Sequence, residues 1–122
     1  MNKQEKMQVF ENLSANYKQE AEELNARLEA AMDQLDKDTA AATAAYQTRY
    51  TSRSDEFNQS GEFNNEEAAK IYHQDLAALG ASMMAEYARI ALERKAVMAK
   101  HRQDLLDGDL KFYALLFDIL LR

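Results

Sequence analysis

The chain has no proline and only three glycines among its 122 residues, and this scarcity constrains its fold more than any other feature. Proline and glycine are the residues that most readily end or weaken helices, so a sequence almost free of them can sustain long ones. Its most frequent residues include Ala, Glu, Leu, Lys, Gln and Arg, which favour helices, and no segment resembles a strand. The sequence therefore predicts an all-α fold in one domain, residues 1–122.

Apolar residues recur in two segments mostly with steps of three and four, which is the period of one face of a helix, and Ser14 is the polar exception in the first segment. The first set is Met7, Phe10, Tyr17, Ala21, Leu24, Leu28, Ala31 and Leu35, and the second is Tyr72, Leu76, Leu79, Met83, Tyr87 and Ile90. These stripes predict two long, coiled-coil-like helices, at about 3–52 and about 65–106. Asp36–Thr39 is a weaker place where the first helix could break, and the sequence leaves that open.

Between the stripes, residues 52–67 are rich in Ser, Asn and acidic residues and include Gly61, which predicts a loop over 53–63. Asn64 is the expected N-cap of the second helix, with Glu67 as its capping-box partner. An antiparallel hairpin centred on Gly61 would pair residues whose numbers add to about 122. The expected pairs include Tyr50 with Tyr72, Leu35 with Tyr87, Tyr17 with Leu105, and Phe10 with Phe112.

The sequence Asp107-Gly108-Asp109 predicts a second break, because glycine permits a helix end and aspartate can cap a new helix. A short C-terminal helix would then span about 109–121. Ten of the last thirteen residues are apolar, which is more than one neighbouring helix can cover. The expected partner or oligomer interface consists of Phe112, Tyr113, Leu116, Phe117 and Leu120. Whether this helix packs within the chain or completes a bundle between chains, with a homodimer as the first expectation, stays open.

The formal charge of −6 disfavours nucleic acid and anionic lipid as partners. The absence of cysteine rules out disulfides and thiolate metal sites and is typical of a reducing compartment, so we expect a cytoplasmic protein without an export signal. The terminal apolar run would cover about 20 Å as a helix, well short of a hydrocarbon core of about 30 Å. No membrane span is therefore expected.

No pattern of residues indicates catalysis. His73 and His101 lack the i+3 or i+4 partners of a helical zinc or carboxylate-bridged metal site, and no glycine-rich phosphate loop occurs. No nucleophile lies in the strand–turn–helix context of a hydrolase. We therefore expect a protein that is not an enzyme, with no catalytic residues, no metal and no cofactor.

Two functions from different classes fit these patterns. The first is a helical adaptor, assembly factor or chaperone that binds a protein partner and associates with itself through helix–helix contacts. The alternative is a small acidic inhibitor that binds a basic surface of a nucleic-acid enzyme. Its acidic residues would come from the loop region: Asp55, Glu56, Glu62, Glu66 and Glu67.

Overall fold

The computed structural model describes all residues, Met1–Arg122, and contains two α-helices. Helix α1 spans Lys3–Ser60 and helix α2 spans Glu66–Leu121. The two helices pack against each other as a hairpin, so the predicted all-α fold and helical hairpin are confirmed. Neither helix has a stretch long and apolar enough to cross a membrane.

Side chains and one glycine define where the helices begin and end. Asn2 caps α1, because the Glu5 amide donates to Asn2 Oδ1 at 2.8 Å. Gly61 follows α1 with a φ of 72°, the left-handed conformation that glycine adopts most easily. The residue that caps α2 is Asn65, not the expected Asn64, since Asn65 Oδ1 accepts from the Ala68 amide at 3.1 Å.

Helix α1 continues eight residues beyond its predicted end at 52, so the expected loop at 53–63 was placed too early. Residues 53–60 have weak helix preference, but their inward side chains pack on α2. The Phe57 ring stacks on the Tyr72 ring at 4.2 Å between centroids, and Arg53 forms an ion pair with Asp75 at 2.9 Å. These tertiary contacts outweigh local propensity. Only residues 61–65 separate the two helices.

The longer α1 moves the turn, and the expected register was wrong. Residue numbers add to 129 for Phe57 with Tyr72 and for Tyr17 with Phe112, instead of about 122. Phe112 therefore meets Tyr17, seven residues beyond its expected partner Phe10. Tyr72 likewise contacts Ser54 and Phe57, not Tyr50. The antiparallel orientation is correct, but the facing residues differ by about two helical turns.

Helix α2 shows no separate C-terminal helix, because it continues without interruption through Asp107, Gly108 and Asp109. A glycine inside a helix costs only about 1 kcal/mol relative to alanine, which is too little to end a helix that packs on a neighbour. Asp109, the expected N-cap, instead accepts a hydrogen bond from the Tyr17 hydroxyl of α1. Helix α1 is also unbroken at Asp36–Thr39, where Thr39 Oγ1 donates to the Leu35 carbonyl at 2.9 Å.

The hairpin consists of two compact units. Residues 33–94 form the first, in which the Thr43 and Tyr87 hydroxyls bond across the helices and Arg94 contacts Asp36 at 2.8 Å. The second contains residues 1–32 and 95–122, where Lys111 approaches Glu20 at 3.5 Å. The buried apolar side chains are Leu35, Phe57 and Ile90 in the first unit and Ile119 in the second. Two helices alone give a thin core.

Candidate functional site

The C-terminal part of α2 packs on α1 along one side, which we call the inner seam: Leu105, Gly108, Asp109, Phe112, Leu116 and Ile119. Phe112 lies against Tyr17 with ring centroids 4.7 Å apart. Leu116 is half-buried and Ile119 is buried. Two of the five predicted interface residues, Phe112 and Leu116, therefore lie on the side that the hairpin itself covers.

A polar contact is built into the inner seam. The Tyr17 hydroxyl donates to Asp109 Oδ1, between residues 92 positions apart in the sequence. This hydrogen bond, together with partial desolvation and the nearby carboxylate charge, raises the pKa of Tyr17, because a phenolate beside Asp109 would be repelled. The contact lies on the same side of α2 as the covered Phe112 and Ile119, so the side of α2 that faces α1 is held by both polar and apolar contacts.

The other three predicted residues, Tyr113, Phe117 and Leu120, are exposed, and they continue a row that begins further upstream. We call this row the outer stripe: Leu106, Leu110, Tyr113, Phe117 and Leu120. Its members are between 50% and 64% exposed and follow one another in steps of four, three, four and three. At 100° per residue they lie within about 80° of arc, and the centre of this arc is roughly 110° around the helix from the centre of the inner seam. The stripe is one continuous apolar face.

Leu106 and Leu110 were missed in the sequence because a break at Gly108 was assumed between them and the apolar ending. The apolar periodicity that identifies them is present in the sequence, because the steps of three and four continue through Leu106 and Leu110 once α2 is taken as one helix. The assignment of the five predicted residues to an interface stays a prediction.

A groove of about 310 Å³ lies beside Gly108 in the same unit. It forms where the glycine lacks a side chain, since a Cβ there would meet nothing within 4 Å. Its walls carry charges of both signs, including Glu23, Arg27, Asp104 and Lys111. The groove is therefore better explained as a packing gap along the inner seam than as a ligand site.

The structure brings no metal-binding cluster together. No group of three His, Cys, Asp or Glu residues could hold a metal ion, and no buried side-chain polar atom lacks a hydrogen-bond partner. His73 is exposed beside the Tyr72 ring, and His101 is half-buried on α2. Neither histidine makes a hydrogen bond or ion pair with a carboxylate.

Comparisons of the chain with protein families, with curated proteins and with solved structures found no match.

Proposed function

We propose that this chain is a non-enzymatic helical interaction protein, of the adaptor, assembly-factor or chaperone type, that associates with itself and with a protein partner through helix–helix contacts. The outer stripe is the observation that supports this proposal. Burial of one Leu or Phe side chain contributes about 1.5–3 kcal/mol, so five half-exposed ones represent a free energy comparable to the whole stability of a small domain. The cysteine-free composition supports a cytoplasmic location as part of the proposal.

The size of the stripe is adequate for association. Each side chain leaves on the order of 100 Å² exposed, so two such stripes facing each other would bury about 1,000 Å² in total, the lower limit for a specific interface. Aromatic residues such as Tyr113 and Phe117 are enriched at the centres of interfaces, and apolar residues at steps of three and four are the anchors of helix-in-groove recognition. The surface is sufficient for a modest but specific contact.

Sedimentation velocity over a range of concentrations tests the proposal. The unmodified chain should associate, and Phe117→Glu should be monomeric, because a carboxylate in the middle of the stripe cannot be buried without a large desolvation cost. Ile71→Glu is the matched control, since Ile71 is also an exposed apolar residue of α2 but lies outside the stripe. A chain that is monomeric at every concentration, or one that Phe117→Glu leaves associated, contradicts self-association through the stripe.

The acidic surface near the turn supports the second candidate, an inhibitor of a nucleic-acid enzyme. Glu62, Glu66 and Glu67 are exposed and make no ion pair, so their charge is available to a basic partner. The test measures whether the chain inhibits a panel of nucleases and polymerases. Inhibition should disappear in the double variant Glu62→Lys with Glu66→Lys while self-association persists; if only stripe variants have an effect, this function is excluded.

A further inference from the structure

We infer that the outer stripe is covered by the same stripe of a second copy, with the two α2 helices parallel and in register. This inference rests on the proposed function, because it names the partner of the same surface. In this arrangement Arg102 pairs with Asp107 of the partner subunit, and the symmetric pair forms on the other side of the contact.

The partner stripe must be α2, because α1 offers no matching face in this unit. Among residues 1–32 the exposed large apolar side chains are Met1, Met7, Val9 and Phe10, all within the first ten residues. The outer stripe spans residues 106–120, about 21 Å of helix at 1.5 Å per residue. From residue 11 to residue 32, the exposed side of α1 is polar or small. Within this unit, a face equal in length and chemistry to the stripe exists only on α2, so a second copy offers its match through the same helix.

The spacing of the stripe is that of a two-helix seam. Steps of four and three place Leu110 and Phe117 at the a positions of a heptad, and Leu106, Tyr113 and Leu120 at the d positions. In a parallel pair each a residue meets its own counterpart, and so does each d residue. Leu106 would then face Leu106 of the partner subunit, and Leu120 would face Leu120 of the partner subunit. A stripe that matches itself suits a two-fold interface, where both copies use the same surface.

The charges beside the stripe favour the parallel orientation. Arg102 occupies a g position and Asp107 the following e position, and a parallel pair brings each g residue to the e residue five positions later on the partner. Arg102 makes no ion pair within the chain, and the side-chain contact of Asp107 is the Gln103 amide, at 2.8 Å. In an antiparallel pair e faces e, so Asp107 would meet the uncharged Ala114 of the partner subunit. The parallel pair alone joins these two opposite charges.

Cysteine cross-linking tests the orientation of the two α2 helices. Because the chain has no native cysteine, any disulfide must come from the introduced residues. Leu106→Cys alone and Leu120→Cys alone should each form a disulfide dimer under mild oxidation, because each d position faces itself in a parallel pair. The exposed Ala15→Cys is the control and should remain uncrosslinked. If only a mixture of Leu106→Cys with Phe117→Cys cross-links, the pair is antiparallel and the inference is wrong. If none cross-links although the chain is dimeric, the stripe does not face itself.

A charge swap gives a second readout that needs no cysteine. Arg102→Glu should weaken the dimer about tenfold, since two attractive pairs become repulsive, and adding Asp107→Arg in the same chain should restore it. Arg27→Glu makes the same change in charge on α1 and should leave the dimer unaffected. Failure of the double variant to restore association refutes the Arg102–Asp107 pairing. A stripe dimer that survives Phe117→Glu instead refutes the proposed function, so the two failures are distinct.

Discussion

The sequence predicts a helix end at Gly108, but in the structure Gly108 lies inside helix α2. Replacing Gly108 with alanine distinguishes a continuous helix from one that ends there. In the structure Gly108 is helical, and an added Cβ would meet no atom within 4 Å. Gly108→Ala should therefore raise the free energy of unfolding by about 0.5–1 kcal/mol, from the lower conformational entropy of the unfolded chain and the better helix propensity of alanine. A gain of that size corresponds to a rise in Tm of about 2–5 °C.

The other two glycines are matched controls. Gly80 is also helical with open space around its missing Cβ, so Gly80→Ala should give a similar gain. Gly61 has a φ of 72°, where a Cβ is strained, so Gly61→Ala should lower stability by about 1 kcal/mol. Urea unfolding followed by circular dichroism measures all three variants. A loss of stability in Gly108→Ala comparable to that in Gly61→Ala would mean that α2 ends at residue 108, and the continuous helix would be refuted.

Three further substitutions test the contacts that hold the hairpin. Phe57→Ala should lower the free energy of unfolding by about 3 kcal/mol, because a buried ring stacked on Tyr72 is lost; a loss below about 1 kcal/mol in urea melts would mean that residues 53–60 do not pack as described. Asn65→Ala should cost about 1 kcal/mol and lower the Tm, since it removes the cap of α2; an unchanged Tm would argue for a different cap. The hydrogen bond to Asp109 raises the pKa of Tyr17 above its unfolded value of 10.0. The neutral hydroxyl therefore contributes its full stabilisation below pH 10.0, and this stabilisation is lost as the pH rises through the higher folded pKa. Tyr17→Phe should therefore have a lower Tm than the parent chain near pH 8, and the difference should shrink above pH 10; a difference independent of pH would exclude the hydrogen bond to Asp109 as its source.

The helix class and the antiparallel orientation could be predicted from the sequence because both depend on features that act over many residues. The absence of proline removes the strongest helix breaker along the whole chain, and the two apolar stripes each extend over several turns. No single misjudged residue can change either conclusion.

The register could not be predicted because it depends on where one short turn lies. Residues 53–60 are polar enough to predict a loop, and what makes them helical is a long-range contact, the stacking of Phe57 on Tyr72. Local propensity carries no information about such a contact. The expected register was centred on Gly61, whereas the facing pairs of the structure are centred between residues 64 and 65, so the expected partners were displaced throughout the hairpin.

The candidate site could be predicted only in part, because the side of α2 that faces α1 also depends on the register. Composition alone identified the apolar ending, but the division of that ending into covered and exposed halves depends on how α2 is rotated. On the covered side Tyr17 packs on Phe112 and bonds to Asp109, and neither contact follows from the expected register. The same register would have placed Phe112 on Phe10 and left the exposed side undetermined.

The two faces of the C-terminal part of α2 have separate roles in this account, and this separation can be measured. Gly108 lies on the inner seam, roughly 160° around the helix from the centre of the outer stripe at 100° per residue. Gly108→Ala should therefore stabilise the hairpin without altering the dissociation constant of the self-associated form. Phe117→Glu should abolish association yet leave a folded monomer, because Phe117 is largely exposed within one chain. If the two variants changed both properties together, folding and association would be one process, and the outer stripe could not be treated as a surface that is free in a folded chain.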